Sequence, residues 1–125
     1  MKTQLDSVAE FHDAFSVRNE KEPMVVPYNL WNLRADLMQE ELDEYKEACE
    51  EENVIGIADA LGDQLYILCG TILAHGMQHV IEDVFDEIHQ SNMSKLGIDG
   101  KPVLRADGKV LKGPDYFKPD ISKFI

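Results

Sequence analysis

The chain has 125 residues, 44% of them hydrophobic, and a formal net charge of −12. This length allows one compact domain with a core of its own. The acidity and the lack of a basic helix or a basic and aromatic stripe exclude extended nucleic acid binding. No apolar signal core follows Lys2, and the apolar run of residues 54–77 contains two aspartates. Neither export nor membrane spanning is therefore expected.

The cysteines and the distribution of charge along the chain predict the cellular location and the kind of site. Cys49 and Cys69 are isolated thiols, which predicts a reduced, cytoplasmic location. Residues 1–94 contain 20 acids and 5 bases, whereas residues 95–125 contain 4 acids and 7 bases. This split suits a site in which acids hold a metal and a basic tail holds phosphate. An acidic surface with an ordinary polar tail would give the same counts.

Four helices are predicted in chain order. The first covers about residues 5–17, with apolar residues spaced for one buried face, and a loop with two prolines follows. The second begins at Asn29, as its N-cap, and ends near Glu51. The third ends near Gly76, and the fourth covers about residues 78–96.

On the second helix, acidic residues occupy the positions that would continue an apolar stripe. The stripe consists of Leu30, Leu33 and Leu37, and the acids that continue it are Glu40, Glu41 and Glu44. At 3.6 residues per turn the glutamates share an arc of roughly 100°, predicted to face the core. Asp59 and Asp63 interrupt the third helix one turn apart, so the two acidic faces can meet.

Five carboxylates inside a bundle would repel one another and hold protons. A divalent cation would neutralise them, and an all-oxygen ligand set favours a hard ion, Mg²⁺ or Mn²⁺. The sequence therefore predicts a metal site between the second and third helices.

The residues after Gly97 lack the spacing of apolar residues that predicts a helix. Residues 103–111 are predicted to form a short hairpin that turns at Asp107-Gly108. The irregular end is expected to be anchored by Tyr116, Phe117 and Phe124. The prediction is a single all-α domain, residues 1–125, with a helical core over about residues 3–96 and a basic tail over residues 97–125.

Two acidic segments resemble a known superfamily. Residues 40–44, EELDE, followed by residues 57–66, IADALGDQLY, resemble the MazG-like all-α nucleotide pyrophosphohydrolases. Dimeric dUTPases and phosphoribosyl-ATP pyrophosphohydrolase are relatives. The resemblance extends to residues 91–95 and to the tail at residues 107–114. It implies a four-helix bundle with a short C-terminal hairpin or irregular tail.

The resemblance implies Mg²⁺-dependent hydrolysis of a deoxynucleoside or non-standard nucleoside triphosphate between its α- and β-phosphates, giving a monophosphate and pyrophosphate. The motifs imply Glu40, Glu41, Glu44 and Asp59 as metal ligands, and Asp63, one turn beyond Asp59, is expected as a further ligand. Glu41 and Glu44 are expected as ligands above all, and Glu40 as a ligand or a catalytic base. Asn92, Lys95, Lys112 and Tyr116 are expected to bind the substrate. Mn²⁺ is an alternative ion.

One position departs from the family pattern. The glutamate of the ExxD motif would fall at residue 56, where this chain has Gly56. Asp63 could supply the ligand, a water could fill the place, or the protein could be inactive. The last case gives a nucleotide-binding or metal-binding regulatory protein as the alternative function. A third alternative is an acidic helical module without a small-molecule site.

The third helix is apolar nearly all round and has more apolar surface than one thin bundle covers. A homodimer is therefore expected, as the resemblance also implies, and pairing of dimers into tetramers is left open. The expected partner is a small nucleotide, with no nucleic acid and no membrane.

Overall fold

The computed structural model describes residues 1–125. It contains four α-helices followed by one short 3₁₀ helix: α1 (Lys2–Ala14), α2 (Tyr28–Glu50), α3 (Val54–Ala74), α4 (Ile81–Met93) and the 3₁₀ helix Ile121–Phe124. The predicted all-α fold is confirmed. The chain divides into two compact units, residues 1–79 with α1 to α3 and residues 80–125 with α4 and the tail.

The predicted bounds of three helices are wrong. The first helix, α1, begins and ends three residues earlier than predicted. Asn29 does not cap α2, because the helix begins one residue earlier, after Pro27. The Pro27 carbonyl accepts hydrogen bonds from the backbone N–H groups of Leu30 and Trp31. The ring of Pro27 fixes its φ at −55°, which positions the chain for entry into the helix. The fourth helix is shorter than predicted at both ends, since turns replace helix at residues 78–80 and 94–96.

A tight connection joins α2 to α3. Glu52 adopts a positive φ of 54°, and the Asn53 N–H donates to the carbonyl of Ala48 at 2.9 Å. The side chain of Asn53 then caps α3 by accepting the N–H of Gly56 at 2.9 Å. The two long helices therefore pack side by side as a helical hairpin.

Both α1 and α2 pack against α3, which is the central helix of the first unit. Its length and apolar composition alone would let it cross a membrane, but the core helix of a soluble protein passes the same test. The buried apolar residues of the three helices are Leu5, Val8, Ala48, Ala60, Cys69, Ile72 and Leu73.

The predicted core-facing stripe on α2 is wrong for two of its three leucines, and Glu40 and Glu44 are likewise exposed. Leu30 and Leu33 are 39% and 52% exposed. The buried line of α2 instead runs through Arg34, the half-buried Glu41 and Ala48, which are seven residues apart. Because a seven-residue spacing keeps side chains on one side of a helix, this line faces α3 and rotates the leucines outward.

The second unit holds the tail against α4. Ser91, which is buried, donates to the Phe117 carbonyl at 2.9 Å, and the Phe117 N–H donates to Ser94 Oγ at 3.1 Å. Lys123 pairs with Glu87 at 2.6 Å. The predicted turn at residues 107–108 forms, with Gly108 at φ 88°, but the hairpin is reduced to a single antiparallel bridge between Leu104 and Val110.

Candidate functional site

Three carboxylates from α2 and α3 converge on one point. One oxygen from each of Glu41, Glu44 and Asp63 lies within 4.8 Å of the other two. Glu41 and Glu44 are neighbours on α2 because residues three apart share a helix face. Packing of the helical hairpin brings Asp63 of α3 to the same place. We call these three side chains the acidic cluster.

Glu41 is the most enclosed member of the acidic cluster. Its Oε2 is shielded from solvent and has no hydrogen-bond partner. Burial, followed by the neighbouring Glu44 and the charges of Asp63 and Glu40, raises the pKa of Glu41 to about 7. A buried carboxylate oxygen without a partner is costly, and a cation would remove that cost. The oxygen-only donor set fits Mg²⁺ or Mn²⁺.

The other two predicted ligands are not among the three converging side chains. Glu40 is exposed on α2, where its charge acts on the carboxylate of Glu41. Asp59 is exposed on α3, one turn before Asp63, and is not one of the three converging residues. Asp63, expected as a supplementary ligand, is therefore the aspartate that the structure brings to the glutamates. The ligand roles of Glu40 and Asp59 stay predictions.

Counted three residues before Asp59, the missing acid of the ExxD motif falls at Gly56, in the first turn of α3. Counted before Asp63, which the structure brings to the cluster, it falls at the buried Ala60. A Cβ at Gly56 would lie 2.9 Å from the amide nitrogen of Asn53 and 3.2 Å from the Cβ of Ala48. Both distances are tighter than ordinary van der Waals contact. A longer side chain at residue 56 would therefore displace the capping side chain of Asn53 or press on Ala48.

The predicted substrate-binding residues lie in the second unit, where two of them, Lys112 and Tyr116, are in contact. A Cβ at Gly113 would collide with the carbonyls of Lys95 and Leu96, so the tail passes directly over the end of α4. Lys112 Nζ then lies 4.8 Å from the centroid of the Tyr116 ring. Lys112 and Tyr116 are thus in contact, and the backbone of Lys95 lies beside the neighbouring Gly113.

Asn92 is exposed in the last turn of α4, and its backbone carbonyl accepts a hydrogen bond from the Lys95 N–H at 3.2 Å. The amide side chain is therefore on the surface of the same unit as the basic residues. Its contact with a sugar or base stays a prediction.

Sequence reasoning missed a buried arginine. Arg34 is 8% exposed on α2, and its guanidinium donates to the Ile67 carbonyl at 2.9 Å and to Thr71 Oγ1 at 3.1 Å. No carboxylate pairs with it within 4.0 Å. Burial lowers its pKa. The signal that could have found it is its position seven residues before Glu41 on the same helix face.

Arg34 shares its site with His12 and Gly70. A Cβ at Gly70 would collide with the guanidinium and would lie 3.0 Å from His12 Nε2. His12 is 3% exposed, and its Nδ1 is 2.6 Å from Asn19 Oδ1. Glycine at position 70 therefore allows α1, α2 and α3 to meet around a buried cation.

The raised pKa of Glu41 predicts a pH dependence of the metal-free protein. Between the ordinary value of 4.5 and about 7, the folded state keeps a proton that the unfolded state has released. The free energy of unfolding therefore falls as the pH rises through this window. We expect the melting temperature in chelator to drop by on the order of 5 °C between pH 5 and pH 8.

Thermal denaturation in EDTA measures this effect, with Glu41→Gln as the matched variant. The variant lacks the titrating carboxyl, so its melting temperature should change less over the same pH range. Equal pH profiles for both proteins would show that Glu41 titrates near its ordinary value.

Two comparisons relate the chain to known proteins. A family model described as phosphoribosyl-ATP pyrophosphohydrolase matches residues 8–92. The fold is similar to a crystal structure from Exiguobacterium sp. 255-15, of a protein described as a candidate NTP pyrophosphohydrolase. The match has a TM-score of 0.51 and 22% identity, over 93% of this chain and 88% of that chain. No curated protein matches the chain.

Proposed function

Because the chain belongs to the phosphoribosyl-ATP pyrophosphohydrolase family, we propose that it hydrolyses a nucleoside triphosphate between the α- and β-phosphates. Membership suggests nucleotide pyrophosphohydrolase activity, and our proposal adds the bond cleaved and the substrate class, a deoxynucleoside or non-standard nucleoside triphosphate. The observation that carries the proposal is the partnerless, buried Oε2 of Glu41 among converging carboxylates.

Glu41, Glu44 and Asp63 would hold Mg²⁺, with Glu40 and Asp59 as further ligands. The bound ion would offset phosphate charge and lower the pKa of an attacking water. The carboxylate of Glu40 is exposed beside the cluster and is suited to accept the proton of that water. Mn²⁺ satisfies the same oxygen donors.

The basic and aromatic residues of the second unit are suited to the substrate. Lys95 and Lys112 would bind phosphate oxygens as point charges. Tyr116 would stack on a ring of the substrate, and Asn92 would hydrogen-bond its sugar or base. The contact of Gly113 with the backbone of residues 95–96 supports this proposal, because it holds Lys112 and Tyr116 in the unit that carries Lys95.

The working form is proposed to be a cytoplasmic homodimer. Large apolar side chains are exposed on α2 and α3: Leu30, Trp31, Leu33, Val54, Ile55, Leu61, Leu65 and Leu68. An exposed apolar surface of this kind is typical of a protein interface. A second copy of the chain would cover it.

Separate substitution of Asp63 and Asp59 tests the proposed metal site. We expect Asp63→Asn to lower pyrophosphate release at least about a hundredfold and to weaken Mg²⁺ binding, because its carboxylate is in the cluster. Asp59→Asn, one turn away and exposed, should have the smaller effect. Release is measured from a panel of standard, deoxy and modified nucleoside triphosphates, and Mg²⁺ binding is measured by calorimetry. The opposite order of effects would place the metal at Asp59.

Gly56 favours one second candidate function, a nucleotide-binding or metal-binding regulatory protein without turnover. The position that carries an acid in the family has no ligand atom here and has little room for a longer side chain. In that case a nucleotide with Mg²⁺ raises the melting temperature but releases no pyrophosphate.

A further inference from the structure

The buried guanidinium of Arg34 lies on one turn of α3. Its Nε donates to Thr71 Oγ1 at 3.1 Å, and its Nη2 donates to the Ile67 carbonyl at 2.9 Å. The Thr71 hydroxyl donates to the same carbonyl at 2.9 Å, so the three groups form a closed set of hydrogen bonds. A Cβ at Gly70 would collide with the guanidinium. We call residues 67, 70 and 71 the arginine seat, which needs a glycine followed by a hydroxyl.

The sequence of α3 provides the arginine seat at one place only. One turn earlier, Tyr66 and Ile67 take the positions of the glycine and the threonine, and one turn later Ala74 and His75 take them. A Cβ in either place would collide with the guanidinium, and isoleucine has no oxygen to accept from it. Ridges and grooves on a helix repeat every three or four residues, so neighbouring registers offer similar apolar packing. The arginine seat therefore distinguishes registers that apolar packing alone distinguishes poorly.

Stability alone does not explain a buried arginine at this place. The chain has 24 acidic residues, yet none of them forms an ion pair with Arg34. Burying a charge is costly, and an apolar side chain of similar volume often stabilises a protein as well or better. The best-documented role of a buried polar residue between helices is to fix their register.

The acidic cluster lies between the arginine seat and the connection of the helical hairpin. Glu41 follows Arg34 by seven residues on α2, and Asp63 precedes Ile67 by four residues on α3. Because the two helices are antiparallel, both steps lead toward the connection. Moving α3 by one turn, about 6 Å, would bring Asp59 to the place of Asp63. The same movement would put a tyrosine ring under the guanidinium.

We propose that Arg34 is a positioning residue whose seat fixes the register of α3 at which Asp63, rather than Asp59, joins the glutamates. Arg34 would act through the backbone of α3 and would touch neither the metal nor the nucleotide. Repulsion among the carboxylates favours a displacement of α3, and the hydrogen bonds of the arginine seat oppose it. The inference rests on the proposed function only in taking the acidic cluster as the metal site.

The experiment measures how much each aspartate contributes to metal binding when the arginine seat is changed. Asp63→Asn and Asp59→Asn are each combined with Arg34→Met, and Mn²⁺ affinity is measured by titration of the free ion's EPR signal. In the wild-type background, Asp63→Asn should weaken binding at least about tenfold more than Asp59→Asn does. With Arg34→Met, we expect this ratio to fall below about threefold. A loss of stability alone would leave the ratio unchanged.

Thr71→Val is the milder variant, with Thr71→Ser as its matched control. Valine lacks the hydroxyl that accepts from Arg34, whereas serine keeps it. Thr71→Val should lower the ratio at least about twofold, and Thr71→Ser should keep the wild-type ratio. If Arg34→Met does not fold, the two variants of Thr71 decide the test.

A wild-type ratio in Arg34→Met, or in Thr71→Val where Arg34→Met does not fold, overturns the inference and leaves the proposed function standing. Equal effects of the two aspartates in the wild-type background also overturn the inference. If the wild type binds Mn²⁺ but releases no pyrophosphate, a reduced ratio in the variants supports the inference although the proposed function fails. Absence of Mn²⁺ binding overturns both.

Discussion

Replacing Glu41 with glutamine is expected to reduce pyrophosphate release at least about a thousandfold. Glutamine keeps the size of the side chain but removes the negative charge, so the acidic cluster loses its most enclosed ligand. The same change removes a carboxylate that burial and its neighbours disfavour in its charged form. At pH 8 without metal, the variant should therefore be at least as stable as the wild type.

Activity and stability should thus move in opposite directions, which distinguishes loss of a ligand from unfolding. Pyrophosphate release with Mg²⁺ and melting in chelator are the two measurements. Glu50→Gln, near the exposed end of the same helix, is the matched control and should leave both unchanged. A Glu41→Gln protein with substantial turnover would mean that the metal is held by other residues.

Replacing Arg34 with alanine is expected to have the largest effect on stability, a loss of about 3 kcal/mol in the free energy of unfolding. The change leaves a cavity where α1, α2 and α3 meet and removes hydrogen bonds to the Ile67 carbonyl and Thr71. Chemical denaturation measures the loss.

Thr71→Val is a milder substitution at the same site, with which Arg34→Ala is compared. It removes the hydroxyl that accepts from Arg34 but leaves the guanidinium bound to the Ile67 carbonyl, so it should cost about 1 kcal/mol. If Arg34→Ala costs no more than Thr71→Val, the arginine is not the residue that holds the three helices together.

The helices were predictable because their signals are local. The spacing of apolar residues located all four, and the Asp107-Gly108 pair located the turn in the tail. The ends were less predictable, because the start of α2 depends on the conformation of Pro27 rather than on the side chain of Asn29. The hairpin in the tail was overestimated, since only one bridge forms between Leu104 and Val110.

The sequence predicted that carboxylates of α2 and α3 would meet, but not which aspartate would join the glutamates. Helical spacing placed Glu41 and Glu44 together, whereas the choice of Asp63 over Asp59 depends on how α3 is rotated against α2. That rotation is set by packing between helices, which a single sequence does not record. The stripe of leucines gave the wrong buried face of α2 for the same reason. The residue on the buried face is Arg34, whose long polar side chain was not expected there.

The tight connection at Glu52 and Asn53 has a consequence for how the acidic cluster is assembled. Glu41, Glu44 and Asp63 all belong to one helical hairpin, and they are separated by at most 22 residues of chain. Closing so short a loop costs little conformational entropy, and contacts that are local in sequence form early in folding. Closing the hairpin therefore brings the carboxylates together, and without a cation their mutual repulsion opposes that closure.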